Sequence, residues 1–149
     1  MNPNCRGTFI GLNTVHTRDH LLRAIMEGVT HSLADCNNIL KSLGEEVISM
    51  RVCGGGSRSQ VWRQIMADMY GCRIKTINLE EGPAFGVALL AGVATGVFES
   101  IEHACDTLIK DESITEKNSE NQKIYKKYHV LYDQIYDDIR ENYSRLARL

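Results

Sequence analysis

"CGGGSRSQVWRQIMADMYG", Cys53–Gly71, sets three consecutive glycines between a β-like run and a helix-like run. Each glycine surrenders more chain entropy on folding than any other residue, so the triplet marks a positive φ or an approach that a Cβ would block. The preceding run, "VISMRVC" (Val47–Cys53), reads as a mostly buried strand. The following run carries Val61, Trp62, Ile65, Met66 and Met69 on one side of a helix, which Gly71 closes.

On either side the alternation continues. "RIKTINL" (Arg73–Leu79) is the next strand, and Glu81, Gly82 and Pro83 turn the chain into "GPAFGVALLAGVATGVF" (Gly82–Phe98), a run without charge. It falls short of the roughly 20 apolar residues that a bilayer requires. Its small residues predict a buried helix packed closely against a sheet, so no membrane is implied. A short helix is expected from about Ser100 to Ile109.

Upstream, "RGTFIGL" (Arg6–Leu12) reads as a short strand. Leu22, Ile25, Met26, Val29, Leu33, Cys36 and Leu40 then recur every three or four residues and mark the inner face of a long helix, with Thr17 as cap and Gly44 as stop. Downstream, "KDESITEKNSENQ" (Lys110–Gln122) is polar and mostly loop, with Ser119 and Gln122 in a capping-box pattern. The last helix carries Ile124, Tyr128, Leu131, Tyr132, Ile135, Ile139, Tyr143 and Leu146 in one stripe, a C-terminal brace. Short strands alternating with helices define an α/β protein with at least part of a parallel sheet.

Composition narrows the function classes. The 149 residues suffice for one domain with a core, and 43% hydrophobic with 24% charged residues is ordinary for a globular protein. A net charge of -2 lacks the basic footprint of a nucleic-acid partner. Five cysteines without a Cys-x-x-Cys pair imply reduced, mostly core thiols of a cytoplasmic protein. No residue set reads as a metal site: His16 and His20 stand four apart but lack the acidic residue of a metalloprotease helix. Asp19, Asp35 and Asp68 fall on helix patterns as solvated or capping carboxylates. Arg63 and Asp68 read as surface or interdomain contacts.

The glycines themselves fit neither the phosphate loop with its terminal Gly-Lys-Ser/Thr nor the third glycine of the dinucleotide fingerprint. A glycine turn at the carboxyl end of a strand, leading into a helix with unpartnered amides, is where open α/β sheets bind ligands and where anions are favoured. A ligand-free strand-to-helix turn is the alternative.

A second segment bears on that choice. In "GTFIGLNTVHTRDHLLRAIME", Gly7, Phe9, Gly11, Leu12, His20, Leu21, Ala24, Ile25, Met26 and Glu27 resemble, position by position, the second signature of the FGGY carbohydrate kinases. "GGGSRSQVWRQIMAD" (Gly54–Asp68) is similar to that family's adenosine motif and "EGPAFGVALLAG" (Glu81–Gly92) to the segment after it. The flavour of "NPNCRGTFIGL" and "HLLRAIMEGV" is closest to the xylulose kinases, with gluconate, glycerol and ribulose kinases sharing much of it.

The resemblance implies a ribonuclease-H-like, actin-like lobe that binds ATP with Mg2+ and closes on a small sugar. Residues 1–149 would form the C-terminal portion of the second, nucleotide-binding lobe, without the N-terminal lobe. By position, Gly55 and Gly56 would approach the adenosine and its first phosphate through backbone groups. Ser59 would stand where relatives often place an asparagine near the adenine, and Gly54 and Arg58 would border the site. Neither an Asp-x-Gly-Thr phosphate loop nor a catalytic aspartate is found, so no catalytic residue is assigned and the chain alone is expected to be inactive; a non-catalytic nucleotide-binding module is the alternative. A sheet with missing strands is expected to leave an edge through which copies associate.

Overall fold

The computed structural model describes residues 3–79 and 82–149. The elements are α1 (Arg18–Ser42), β1 (Ser49–Val52), a 3-10 turn (Gly55–Arg58), α2 (Gln60–Tyr70), β2 (Arg73–Ile77), α3 (Gly82–Ala94), α4 (Ile101–Leu108), β3 (Asp111–Thr115) and α5 (Ser119–Leu146). The α/β class expected from the sequence is the class observed.

β1 and β2 run parallel, with Met50 opposite Ile74, and α2 carries the chain between them. β3 joins the other side of β2 antiparallel, with a bulge between Thr76 and Ile77. The segment Lys110–Gln122 is therefore not mostly loop. Its strand is held by the ladder, by a 2.7 Å contact between the Thr76 and Ser113 hydroxyls, and by Lys75 Nζ on Asp111 at 2.6 Å. These polar side chains carry no hydrophobic pattern from which a strand is read.

The core forms where α2 covers one sheet face. Met66, Ala67 and Tyr70 of α2 meet Cys72 and Ile74, joined by Ala34 from α1, with Met50, Val52 and Trp62 at the margin. Ile65 and Ile74 are almost wholly shielded, worth about 1.5–3 kcal/mol each. β1 is not mostly buried as expected. Met50 and Val52 face α2, while Ser49 and Arg51 face solvent, and Arg51 pairs with Asp111 at 2.8 Å. Only one sheet face is covered among the described residues, so alternate positions stay wet.

α1 forms as its periodicity predicts, capped by Thr17, whose backbone N–H donates to His20 Nδ1 at 3.2 Å. The expected inner face is displaced, however. Leu22, Ile25, Val29, Leu33, Cys36 and Leu40 are exposed, and the buried residues are Thr30, His31, Ala34 and Asn37. That neighbouring stripe is tied down by hydrogen bonds: Thr30 accepts from Trp62, His31 meets His129, and Asn37 Nδ2 donates to the Tyr70 carbonyl, while its Oδ1 is buried without a partner among the described residues.

Further expectations need correction. Arg6–Leu12 forms no strand; no strand of the described residues pairs with it, and Phe9, Ile10 and Leu12 are exposed. Thr8 Oγ1 instead lies 3.3 Å from Tyr143 Oη of α5. α3 is not buried against the sheet: Leu89 is its one buried residue among those described, and Val87 and Leu90 are exposed. Its small residues admit Phe98, whose ring lies where a Cβ on Gly92 would stand at 2.9 Å. α3 packs chiefly on α4. Of the cysteines only Cys72 is buried, its thiol pushed up by that burial, whereas Cys5, Cys36 and Cys53 are exposed.

α5 braces the fold less completely than its stripe suggests. Tyr125 and Tyr143 are buried, but Ile124, Tyr128, Leu131 and Leu146 are exposed. Its cap is Asn118, one residue before the expected one, whose Oδ1 accepts from Glu120 N at 2.9 Å and Asn121 N at 3.2 Å. Among the described residues no helix is long and apolar enough to cross a membrane.

Candidate functional site

β1 ends at Val52, and the chain turns at Gly54 with φ 81, a conformation open to glycine and strained for other residues. Gly55–Arg58 then makes one tight turn. Ser57 N donates to Gly54 O at 3.1 Å, the Ser57 hydroxyl donates to the same oxygen at 2.7 Å, and Ser59 N reaches Gly56 O at 3.3 Å. The Gly55 and Gly56 amides find no acceptor among the described residues.

Ser59 ends the turn and begins α2. Its Oγ accepts from Trp62 N at 3.3 Å, an N-cap bond. Gly54, Gly55, Gly56 and Ser59 thus lie in one continuous turn at the N-terminus of α2. The start of α3 also lies here: a Cβ on Gly82 would stand 2.8 Å from Cys53 Sγ. Two helix N-termini consequently border the carboxyl end of β1, where partial positive charge favours an anion by about 0.3–1 kcal/mol at an exposed site.

The three glycines are not equivalent. A Cβ on Gly55 would meet nothing within 4 Å, whereas one on Gly56 would stand 3.3 Å from the Trp62 ring. Gly55 therefore faces open space, and Gly56 provides the floor on which the indole rests. That indole is fixed from its other side, where Nε1 donates to Thr30 Oγ1 at 2.9 Å and the Thr30 hydroxyl donates to Met26 O at 2.7 Å. Trp62 packs against the glycine turn and α1, while touching the margin of the sheet core.

Two residues read as surface or interdomain contacts do other work. Arg63 Nη1 donates to the Ser57 carbonyl at 2.5 Å, clamping the turn from one helical turn away. Side chains on a helix lean toward its N-terminus, and that direction puts the guanidinium over the loop. Asp68 is 1% exposed. Its Oδ1 accepts from Gln64 Nε2 at 2.8 Å and Asn118 N at 2.7 Å, and its Oδ2 accepts from Asn121 Nδ2 at 2.8 Å, which ties the start of α5 to α2.

His16 and His20 serve the loop before α1. His16 Nδ1 accepts from Asn13 N at 3.0 Å, and the two rings meet edge to face. A hollow of about 430 Å³ lies beside the loop between Asp19, His20, Leu22, Arg23, Met26 and Val61, and none of Gly54–Ser59 lines it.

Comparison with known proteins gives this geometry its setting. A model of the FGGY family of carbohydrate kinases, C-terminal domain, matches residues 1–95. A xylulose kinase of Staphylococcus epidermidis is 38% identical over 136 residues, covering 91% of this chain and 27% of that protein. The xylulose kinase of Bacillus subtilis is 35% identical over 140 residues, covering 94% of this chain and 28% of that protein. The chain thus spans little more than a quarter of the length of these relatives.

The ligand-bound xylulose kinase structure from Lactobacillus acidophilus superposes with a TM-score of 0.84 at 24% identity, covering 96% of this chain and 29% of that one. The helices and three-stranded sheet accordingly form part of the ribonuclease-H-like, actin-like lobe expected from the motifs. With the matched domain and the similarity to xylulose kinases, the chain belongs to the FGGY family of carbohydrate kinases.

Proposed function

We propose that residues 1–149 form the C-terminal portion of the nucleotide-binding lobe of an ATP-dependent sugar kinase, and that the glycine turn is its adenosine site. The observation that carries this reading is Gly55: its backbone faces open space, and its amide and that of Gly56 lack acceptors among the described residues. A bound nucleotide supplies the transferable phosphoryl group. The chain's own residues hold it.

In this reading Gly55 and Gly56 present backbone N–H groups to the first phosphate, and Gly54 makes the turn that brings them there. Ser59 holds the first amides of α2 through its cap bond, so its hydroxyl acts on the base only indirectly. Trp62 and Arg63 keep the turn shaped for entry. Mg2+ would be held mainly through the nucleotide phosphates, and Gly54–Ser59 contains no carboxylate that would bind it directly. The acceptor is a ketopentose such as D-xylulose, in keeping with the relatives' names. A gluconokinase of Bacillus licheniformis, 29% identical over 98% of this chain, supports the second reading, a kinase of another sugar or polyol. The reading places the protein in the cytoplasm with its soluble substrates.

The test replaces the corresponding segment of the Bacillus subtilis xylulose kinase by this chain and follows D-xylulose-dependent ADP release. Turnover at a kinase-like rate of about one per second or faster, together with ADP binding by the isolated chain, is expected. A folded chimera that binds D-xylulose but no ADP refutes the nucleotide assignment. One that binds both and prefers gluconate or glycerol as acceptor refutes the ketopentose reading.

A further inference from the structure

On the face of α1 away from the glycine turn, three ligand-bearing side chains converge from two helices. Asp35 of α1 and His129 and Asp133 of α5 each offer one donor atom, and these atoms all lie within 4.8 Å of one another. His129 Nε2 is 3.1 Å from Asp35 Oδ1 and 3.9 Å from Asp133 Oδ2. The Asn38 side-chain amide lies 3.3 Å from the same nitrogen, and turning it about its last bond presents an oxygen instead. We propose that Asp35, His129 and Asp133 form a binding site for a divalent transition-metal ion of the Zn2+ type, bridging α1 and α5.

The surroundings of His129 distinguish this cluster from a chance gathering of surface acids. Its other ring nitrogen, Nδ1, lies 3.0 Å from Nδ1 of His31. His31 is 6% exposed, so its ring is fixed where α1 meets α5. With the two Nδ1 atoms in hydrogen-bond contact, Nε2 is the ring nitrogen of His129 that faces the two carboxylates. This is the relation of a metal-bound imidazole to its outer hydrogen-bond partner.

Both rings are held in place. His31 stacks on Tyr132 with centroids 5.1 Å apart, and His129 lies nearly parallel to the same tyrosine at 6.3 Å. Donor atoms on one tetrahedral Zn2+ stand about 3.3 Å apart. The His129–Asp35 pair already has that spacing. The two carboxylates, 51% and 55% exposed, have the freedom to close the remainder. An imidazole with two carboxylates suits Zn2+, Ni2+ or Cu2+ over Mg2+. The site is independent of the nucleotide reading, and its test needs no nucleotide.

Calorimetric titration of the chain with ZnCl2, in excess Mg2+ and with circular dichroism to confirm folding, is expected to show one Zn2+ per chain. The double variant Asp35→Asn/Asp133→Asn, altered only at exposed positions, should lose it. His31→Phe should weaken binding by about 10- to 100-fold, and His31→Gln, which retains an acceptor, should restore much of the loss. The exposed thiol of Cys36 lies next in sequence to Asp35, and Cys36→Ser should bind as the parent does. No Zn2+ uptake by the parent, uptake undiminished in the double Asn variant, or uptake lost in Cys36→Ser overturns the proposal.

Discussion

Replacing Gly55 by valine separates a turn that merely bends the chain from one that receives a ligand. Gly55 is not among the glycines with positive φ, and an added Cβ meets nothing within 4 Å. The substitution should therefore leave the fold in place, with a stability change within about 1 kcal/mol, since restricting the unfolded chain offsets part of any local cost. The valine methyls would instead fill the space through which the nucleotide reaches the Gly55 and Gly56 amides. Losing one amide bond to a phosphate costs about 1.5–3 kcal/mol, a roughly ten- to hundredfold weaker ADP affinity. Calorimetry with ADP gives the affinity, and thermal melts followed by circular dichroism give the stability. Two companions fix the interpretation. Gly54→Ala is strained at φ 81 and should cost about 1–3 kcal/mol of stability, whereas Gly56→Ala should press on the Trp62 ring, 3.3 Å from the new carbon. Equal ADP affinity in folded Gly55→Val and the parent would refute the reasoning and leave the glycines as a turn alone.

Ser59→Ala should lose the cap bond to Trp62 N at about 0.5–2 kcal/mol, read from urea midpoints; no shift would mean that water caps α2 equally well. Asp68→Ala should destabilise by roughly 3 kcal/mol, because it strips partners from Asn118 N and Asn121 at a buried position; detachment of α5 should appear as faster amide exchange near residue 118, and unchanged exchange would contradict the tether. Burial pushes the Tyr70 and Tyr125 phenols up to about 12. Their folded values exceed the ordinary value near 10, so their contribution is fully present below about pH 10 and is lost as the pH rises toward 12. Ultraviolet titration of Tyr125→Phe should lack one high-pH step, and an unchanged curve would remove the burial argument. The open side of β1 and the exposed Leu22, Ile25, Val29 and Leu33 predict self-association with rising concentration, and light scattering that shows a dilution-independent monomer would disprove it.

What could be read in advance follows from which forces leave a local trace. The end of α2 was legible, because Gly71 is a terminating residue whose chemistry acts within a few positions, whereas the cap that Ser59 supplies was not read in advance. The glycine turn was legible for the same reason, since Gly54–Ser59 is contiguous. β3 was not, because its pairing rests on backbone groups and on Ser113 and Asp111, residues that favour no strand by themselves. Arg6–Leu12 shows the converse: apolar residues in a strand-like pattern that pair with no strand of the described residues. The inner face of α1 was misassigned because Thr30 and Asn37 are buried only through partners far along the chain. Thr30 and Trp62 are separated by 32 positions, and His31 and His129 by 98. No period within α1 encodes such meetings.

Trp62 is the sole tryptophan of the chain, and its indole rests on Gly56 with its N–H held by Thr30. The tryptophan emission of these 149 residues therefore originates from one chromophore at the glycine turn. A ligand entering beside Gly55 alters the polarity around that ring, and a cation between Asp35 and His129 acts on the same helix one residue past Thr30, at His31. Two optical signatures follow from one indole: a shift in emission colour when the turn is filled, and a change in anisotropy when α1 is stiffened. The molecule carries its own spectroscopic reporter at the place where its chemistry is expected.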